Sequence, residues 1–144
     1  MSDYIPPTLD WVREHVELYE SSGGDEGYLL PGTDMPCIII THKGAKTGGI
    51  RKIPVMRVEL DGNYVLIGSM GGQPQNPAWV YNLRAHPEVE IRDRAEVMQM
   101  RVREVDDPQE RTRLWAAAVA AYPPYDEYQA KTERVIPVFL AEPR

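Results

Sequence analysis

The chain has 144 residues, 42% of them apolar and 26% charged, with a net charge of −6 and a pI near 5.1. That length can bury one core without disulfide staples, and the acidity argues against a general nucleic-acid binder. A single cysteine, Cys37, excludes a disulfide framework, and His15, His42 and His86 have no metal-ligand spacing, so no metal is expected.

Thr8 is expected to cap a helix from about Leu9 to Glu20, with Leu9, Val12, Val16 and Tyr19 at helical spacing and Gly23-Gly24 ending it. Its polar face sets Asp10, Glu14, Glu17 and Glu20 against Arg13, a poor surface for anionic lipid. No apolar run approaches the roughly 18 residues of a membrane span. The opening "MSDYIPPTLDW" lacks the cationic region and apolar core of a signal peptide. Membrane association is not expected, and a cytoplasmic location is.

After the connector "YLLPGTDMP" come three runs with strand character: "CIIITHK", "RKIPVMRVEL" and "NYVLIGS". Asp61-Gly62 is a hairpin signal between the last two. These runs predict a three-stranded antiparallel meander. "NPAWVYNLRAHP" predicts a short helix capped by Asn76 with Pro77 at its first position. "EVEIRDRAEVMQMRVREV" predicts two more strands, and Asp107-Pro108 opens a helix through "ERTRLWAAAVAAY" that Pro123-Pro124 end. "YDEYQAKTER" fits a short helix. "VIPVFLAE" fits a last strand, with Pro137 marking an edge or a bulge. Strands and helices do not alternate regularly, so about six strands with helices to one side predict an α+β antiparallel domain, a small barrel. One domain over 1–144 is expected, with 1–34 a helix and connector and 35–144 the barrel.

One stretch stands apart. "THKGAKTGGIRKIP" gathers Lys43, Lys46, Arg51 and Lys52 on a glycine-rich turn with no acid. It is not a P-loop, because G-x-x-x-x-G-K-[ST] is absent and no long helix follows. Glycines that bring backbone N–H groups close to a ligand, beside Lys and Arg, make an anion site. Composition alone leaves this open against a solubilising hairpin turn.

Together with two later segments, "GSMGGQPQNPAWVYNL" and "AYPPYDEYQAKTERVIPV", the loop resembles the deazaflavin (F420)-dependent nitroreductases, actinobacterial reductases with a split β-barrel. The likeness runs from about Pro36 to Pro143. It implies that Lys46, Thr47, Gly48 and Arg51 hold the phosphate of the F420 tail. It implies that Pro54, Val55 and Met56 run beside the ring, and that Ser69, Met70, Gly71, Asn76, Pro77, Ala78 and Trp79 line the cofactor. Many relatives have arginine at Ala45 and some have lysine at Met70; Lys43 and Lys52 are the cations that would compensate. Tyr122, Tyr125 and Tyr128 recur every three residues, which by spacing is a packed stripe. The resemblance puts them, with Met70, around the acceptor, and makes Tyr125 and Ser69 candidate hydrogen-bond or proton donors.

The expectation is therefore a hydride-transferring oxidoreductase that uses reduced F420 and a small electron-poor acceptor: a quinone, a nitroaromatic, or a conjugated lactone such as a coumarin. The alternatives are an FMN-binding split-barrel oxidoreductase and a non-catalytic F420 carrier. A nucleic-acid module is disfavoured, because the basic loop lacks interleaved aromatics. No oligomeric state is implied.

Overall fold

The computed structural model of the chain describes residues 3–144. Its strands are β1 (Cys37–Lys43), β2 (Ile50–Met56), β3 (Glu59–Leu60), β4 (Asn63–Ile67), β5 (Glu88–Asp93), β6 (Glu96–Glu104) and β7 (Val138–Pro143). Its helices are α1 (Asp10–Ser21), α2 (Ala78–Ala85), α3 (Pro108–Ala121) and α4 (Pro124–Lys131). Among the described residues the seven strands form one sheet, ordered β2-β1-β5-β6-β7-β4-β3 and antiparallel throughout.

The two outermost strands, β2 and β3, are consecutive in the chain. The Arg57 N–H donates to Pro36 O on the β1 side, and the next residue, Val58, accepts from Val65 N on the β4 side, both at 2.9 Å. One bent segment thus carries both edges, and the sheet curls round to meet it as a split barrel. The expected meander is corrected here. "RKIPVMRVEL" reads as one alternating run, yet it bends at Arg57-Val58, and β4 pairs with β7 rather than β2. Alternation says which way a side chain points and nothing about which distant strand lies alongside.

Strand periodicity sorts the core. Ile38, Ile40, Tyr64, Leu66, Phe139 and Ala141 point into the barrel, where Trp79, Val80 and Leu83 of α2 plug the interior. Their neighbours point out: Val65, Ile67, Val138 and Leu140 pack on Leu114 and Ala118 of α3 and Tyr125 of α4. Cys37 and Ile39 meet Val16 and Tyr19 of α1. The helices therefore plug one end and cover separate outer faces, rather than lying to one side. The Tyr19 hydroxyl fastens α1, donating to Cys37 O at 2.9 Å and accepting from Arg94 N at 2.8 Å.

Local signals were met unevenly. Asp61 and Gly62 both have positive φ, +55° and +84°, the pair a tight β3–β4 hairpin needs. Asp107 caps α3, accepting from Glu110 N at 3.0 Å with Pro108 in the first turn. Thr8 is not the cap of α1. That position falls to Leu9, whose side chain makes no capping bond. Asn76 does not cap α2 either: Pro77 occupies the position, and the Asn76 amide oxygen is drawn to Arg134 at 2.7 Å. Pro137 marks no edge. It precedes β7, an internal strand, and costs the ladder no N–H there. Among the described residues no helix is long and apolar enough to cross a membrane.

Candidate active site

The β1–β2 turn is held by its own backbone. Gly44 N donates to Gly49 O at 2.8 Å and Gly48 N to Gly44 O at 2.9 Å, while Thr47 Oγ1 accepts from Gly49 N at 3.1 Å. Ala45 N donates to the buried Asn82 side chain at 2.8 Å, tying the turn to α2. Lys52 is spent on Glu20 of α1, with both carboxylate oxygens at 2.8 Å, so it does not compensate for Ala45. Lys43, Lys46 and Arg51 have no acidic partner among the described residues. Three cations without acidic partners make this turn locally electropositive on an acidic chain.

From this turn a cleft runs along β2 in two joined parts. The nearer, about 250 Å³, includes Arg51, His42 and Asn82, with Ile5, Pro7 and Leu9 of the N-terminal segment as its outer wall. The farther, about 370 Å³, reaches Pro54, Val55, Met56, Ser69 and the three tyrosines, and none of its lining side chains is charged. Ile53, Met70, Pro77 and Trp79 belong to both. Trp79 also packs on Phe139, with ring centroids 5.9 Å apart, so it is core and wall at once. Ala78 lines the nearer part. Lys46, Thr47 and Gly48 form the adjoining turn, and neither they nor Gly71 and Asn76 line the cleft.

The tyrosines form one cluster. Tyr122, just ahead of α4, and Tyr128 share a hydroxyl hydrogen bond of 3.0 Å, and that bond with burial pushes the Tyr122 phenol up to about 12. Tyr125 sits edge-on to Tyr122, centroids 4.9 Å apart. It is 5% exposed, and burial raises its pKa further. Tyr122 and Tyr125 are therefore neutral O–H donors near neutral pH. His42 is likewise neutral, because burial lowers its pKa to about 4; its Nδ1 lies 3.3 Å from Ile40 O.

Facing α4 is the loop from Gly68 to Asn76. Met70, Gly71 and Gly72 are successively left-handed, φ +47°, +63° and +79°. A Cβ on Gly72 would lie 2.9 Å from Tyr128 O, so glycine is required where the loop abuts α4. Arg134 holds this loop with Nε to Gln73 O at 2.9 Å, Nη1 to Asn76 Oδ1 at 2.7 Å and Gly68 O at 3.2 Å, and Nη2 to Ser69 O at 2.7 Å. Sequence reading passed over Arg134, His42 and the N-terminal wall. An arginine among polar residues reads as solvated, and nothing local announces its partners some 60 positions away.

Two wider depressions lie elsewhere. One, about 640 Å³, adjoins Arg57, Asp93 and Tyr64, but Asp93 accepts from Arg57 at 2.8 Å and Tyr64 at 2.6 Å, so these groups satisfy one another. The other, about 800 Å³, lies along α3 and α4. Neither meets the basic turn.

Fold and cleft together define a class: a split-barrel protein with a cationic turn at one end of an aromatic-walled cleft, a form suited to a cofactor-dependent oxidoreductase. The chain belongs to the F420H(2)-dependent quinone reductase family, whose model matches residues 11–143. It is 31% identical over 132 residues to the F420H(2)-dependent quinone reductase Rv1261c of Mycobacterium tuberculosis, covering 90% of this chain and 87% of that one. A solved structure of an F420-H2 dependent reductase (FDR-A) superposes with a TM-score of 0.70 at 45% identity, covering 74% of this chain and 94% of that chain. Another, described as a domain-swapped dimer, superposes with a TM-score of 0.73 at 43% identity, covering 92% and 98%. Membership makes the protein an oxidoreductase with reduced F420 as its cofactor. The residues present fit that group: a long cleft, uncharged at the far end, with Arg51 lining the near end and Lys43 and Lys46 on the adjoining turn.

Proposed function

We propose that the protein reduces a neutral, electron-poor conjugated acceptor: a quinone first, with nitroaromatics and conjugated lactones such as coumarins in the same class. The observation that carries this reading is the absence, among the described residues, of any charged side chain around the far end of the cleft, where three phenols, one serine and the Cys37 thiol are the hydrogen-bonding side chains. When bound, F420H2 supplies the hydride. The chain's own residues do the rest. Lys46, Thr47, Gly48 and Arg51 grip the anionic tail, and Pro54, Val55, Met56, Pro77, Ala78 and Trp79 bound the ring's slot.

Tyr125 and Ser69 donate hydrogen bonds to the acceptor oxygen that gains charge, which lowers the barrier at that atom. Ser69 is buried at the end of β4, 8% exposed. Tyr122 and Tyr128, bonded to each other, shape the pocket, and Met70 flanks both cofactor and acceptor. Unlike the tail, the acceptor meets no cation, so a charged one loses its hydration with nothing in return. The enzyme on this reading works in the cytoplasm, in keeping with its single free, buried thiol.

The test compares a neutral naphthoquinone with its sulfonate under F420H2. The expected result is a kcat/KM at least roughly tenfold higher for the neutral compound, since an unpaired buried charge is costly. Equal rates would contradict an uncharged acceptor pocket.

A further inference from the structure

The acceptor-side helix and the cofactor-side loop are separate pieces of chain: Lys131 of α4 reaches Gly71 O at 3.5 Å, and Arg134, three residues past the helix, makes the larger set of bonds to the loop. Every nitrogen of the Arg134 guanidinium is used, with acceptors at Gly68, Ser69, Gln73 and Asn76. Among the described residues it has no carboxylate partner, so its charge rests on carbonyl and amide oxygens alone. An arginine serving only solubility would leave that fork in water. The backbone behind it is fixed in turn by Gln129, one residue past Tyr128. Gln129 Nε2 donates to Arg134 O at 2.8 Å, and Gln129 Oε1 accepts from Ile136 N at 3.0 Å.

The clamped loop needs holding. Its Met70 is a non-glycine residue in the left-handed region, a conformation that L side chains rarely adopt, and Met70 is half-exposed over the cleft. Strain of this kind persists where surrounding contacts over-determine the backbone.

We propose that Arg134 is a positioning residue: through its four hydrogen bonds it fixes the loop carrying Ser69 and Met70 against the Tyr125–Tyr128 helix, and so sets the width of the cleft in which cofactor and acceptor meet. The inference rests on the functional reading above for what the cleft binds, though not for the clamp itself. Lysine at this position keeps the charge but has no planar fork. It replaces at most part of the set.

The experiment uses the full chain with Arg134→Lys and Arg134→Ala. In cofactor-free protein, hydrogen exchange of the amides from Ser69 to Gln73 is compared with wild type. F420 affinity is then read by fluorescence titration, and melting temperature is recorded alongside. The expected result is faster exchange confined to the loop in Arg134→Lys, and F420 affinity reduced roughly tenfold or more, as small misplacements in a site can do. In Arg134→Ala, millimolar guanidinium ion should restore part of that affinity. Unchanged loop exchange, or a lowered melting temperature with unaltered F420 affinity in the folded protein, would overturn the proposal. If Arg134→Ala does not fold, Arg134→Lys decides alone. Failure of the wild type to bind F420 would instead contradict the functional reading, and the exchange data would still judge the clamp.

Discussion

Replacing Tyr125 by phenylalanine isolates a single hydroxyl at the proposed reaction centre. The ring is 5% exposed and wedged against its neighbours, centroids 4.9 Å from Tyr122 and 6.3 Å from Tyr128, and phenylalanine keeps that packing. Tyr122 and Tyr128 bond each other at 3.0 Å and leave the Tyr125 hydroxyl without a protein partner among the described residues. Its removal therefore strands no buried donor or acceptor, and stability should shift by less than about 1 kcal/mol. The rate should respond differently. A hydrogen bond to an oxygen gaining charge contributes about 1.4–4 kcal/mol of barrier, so kcat should fall roughly ten- to a thousandfold, with Ser69 covering part of the loss. Because burial raises the phenol's pKa, the defect should be the same at pH 6 and pH 8. The assay measures kcat, F420 affinity and melting temperature on one preparation. An unchanged kcat with several quinones would remove Tyr125 from catalysis and leave it a core residue.

Lys46→Ala and Arg51→Ala should each weaken F420 binding by roughly 1.5–3 kcal/mol, the range for a charge-assisted hydrogen bond, with no loss of apo stability, since neither cation has an acidic partner among the described residues; normal titration curves for both would make the turn mere surface. Lys52→Ala should do the reverse, costing up to about 1 kcal/mol of stability through the part-buried Glu20 pair and little affinity. His42 titrates near 6.5 unfolded and near 4 folded, so from pH 6.5 downward the unfolded chain takes up a proton that the folded one refuses. About 3 kcal/mol of stability should be lost by pH 4 and be fully present above pH 6.5, and His42→Asn should flatten that slope in urea melts. Gly72→Ala should destabilise by roughly 1–3 kcal/mol, because it combines positive φ with a contact to Tyr128 backbone; a wild-type melting temperature would show that the loop yields freely.

The sequence told most where chemistry is local. Asp61-Gly62 and Asp107-Pro108 announced their turn and cap because the deciding contacts lie within three residues. The basic turn was visible as an anomaly of charge. What escaped was long-range. Nothing near β4 shows that its partner is β7, over 70 residues on. Asn76 and Thr8 had the right chemistry for caps, but Asn76 bonds Arg134 instead, and Thr8 sits along the cleft wall. Arg134 itself lay inside a quoted motif, yet its meaning depends on a loop brought to it only by the fold.

On the proposed function, the β1–β2 turn anchors the cofactor by an anionic tail longer than that of a flavin mononucleotide. The most direct measurement of this is a fluorescence titration of the wild-type protein with F420 and with FMN, each at low and high salt. F420 should bind more tightly, and its affinity should fall more steeply as salt screens Lys43, Lys46 and Arg51. Equal or tighter FMN binding, or F420 affinity indifferent to salt, would contradict the account.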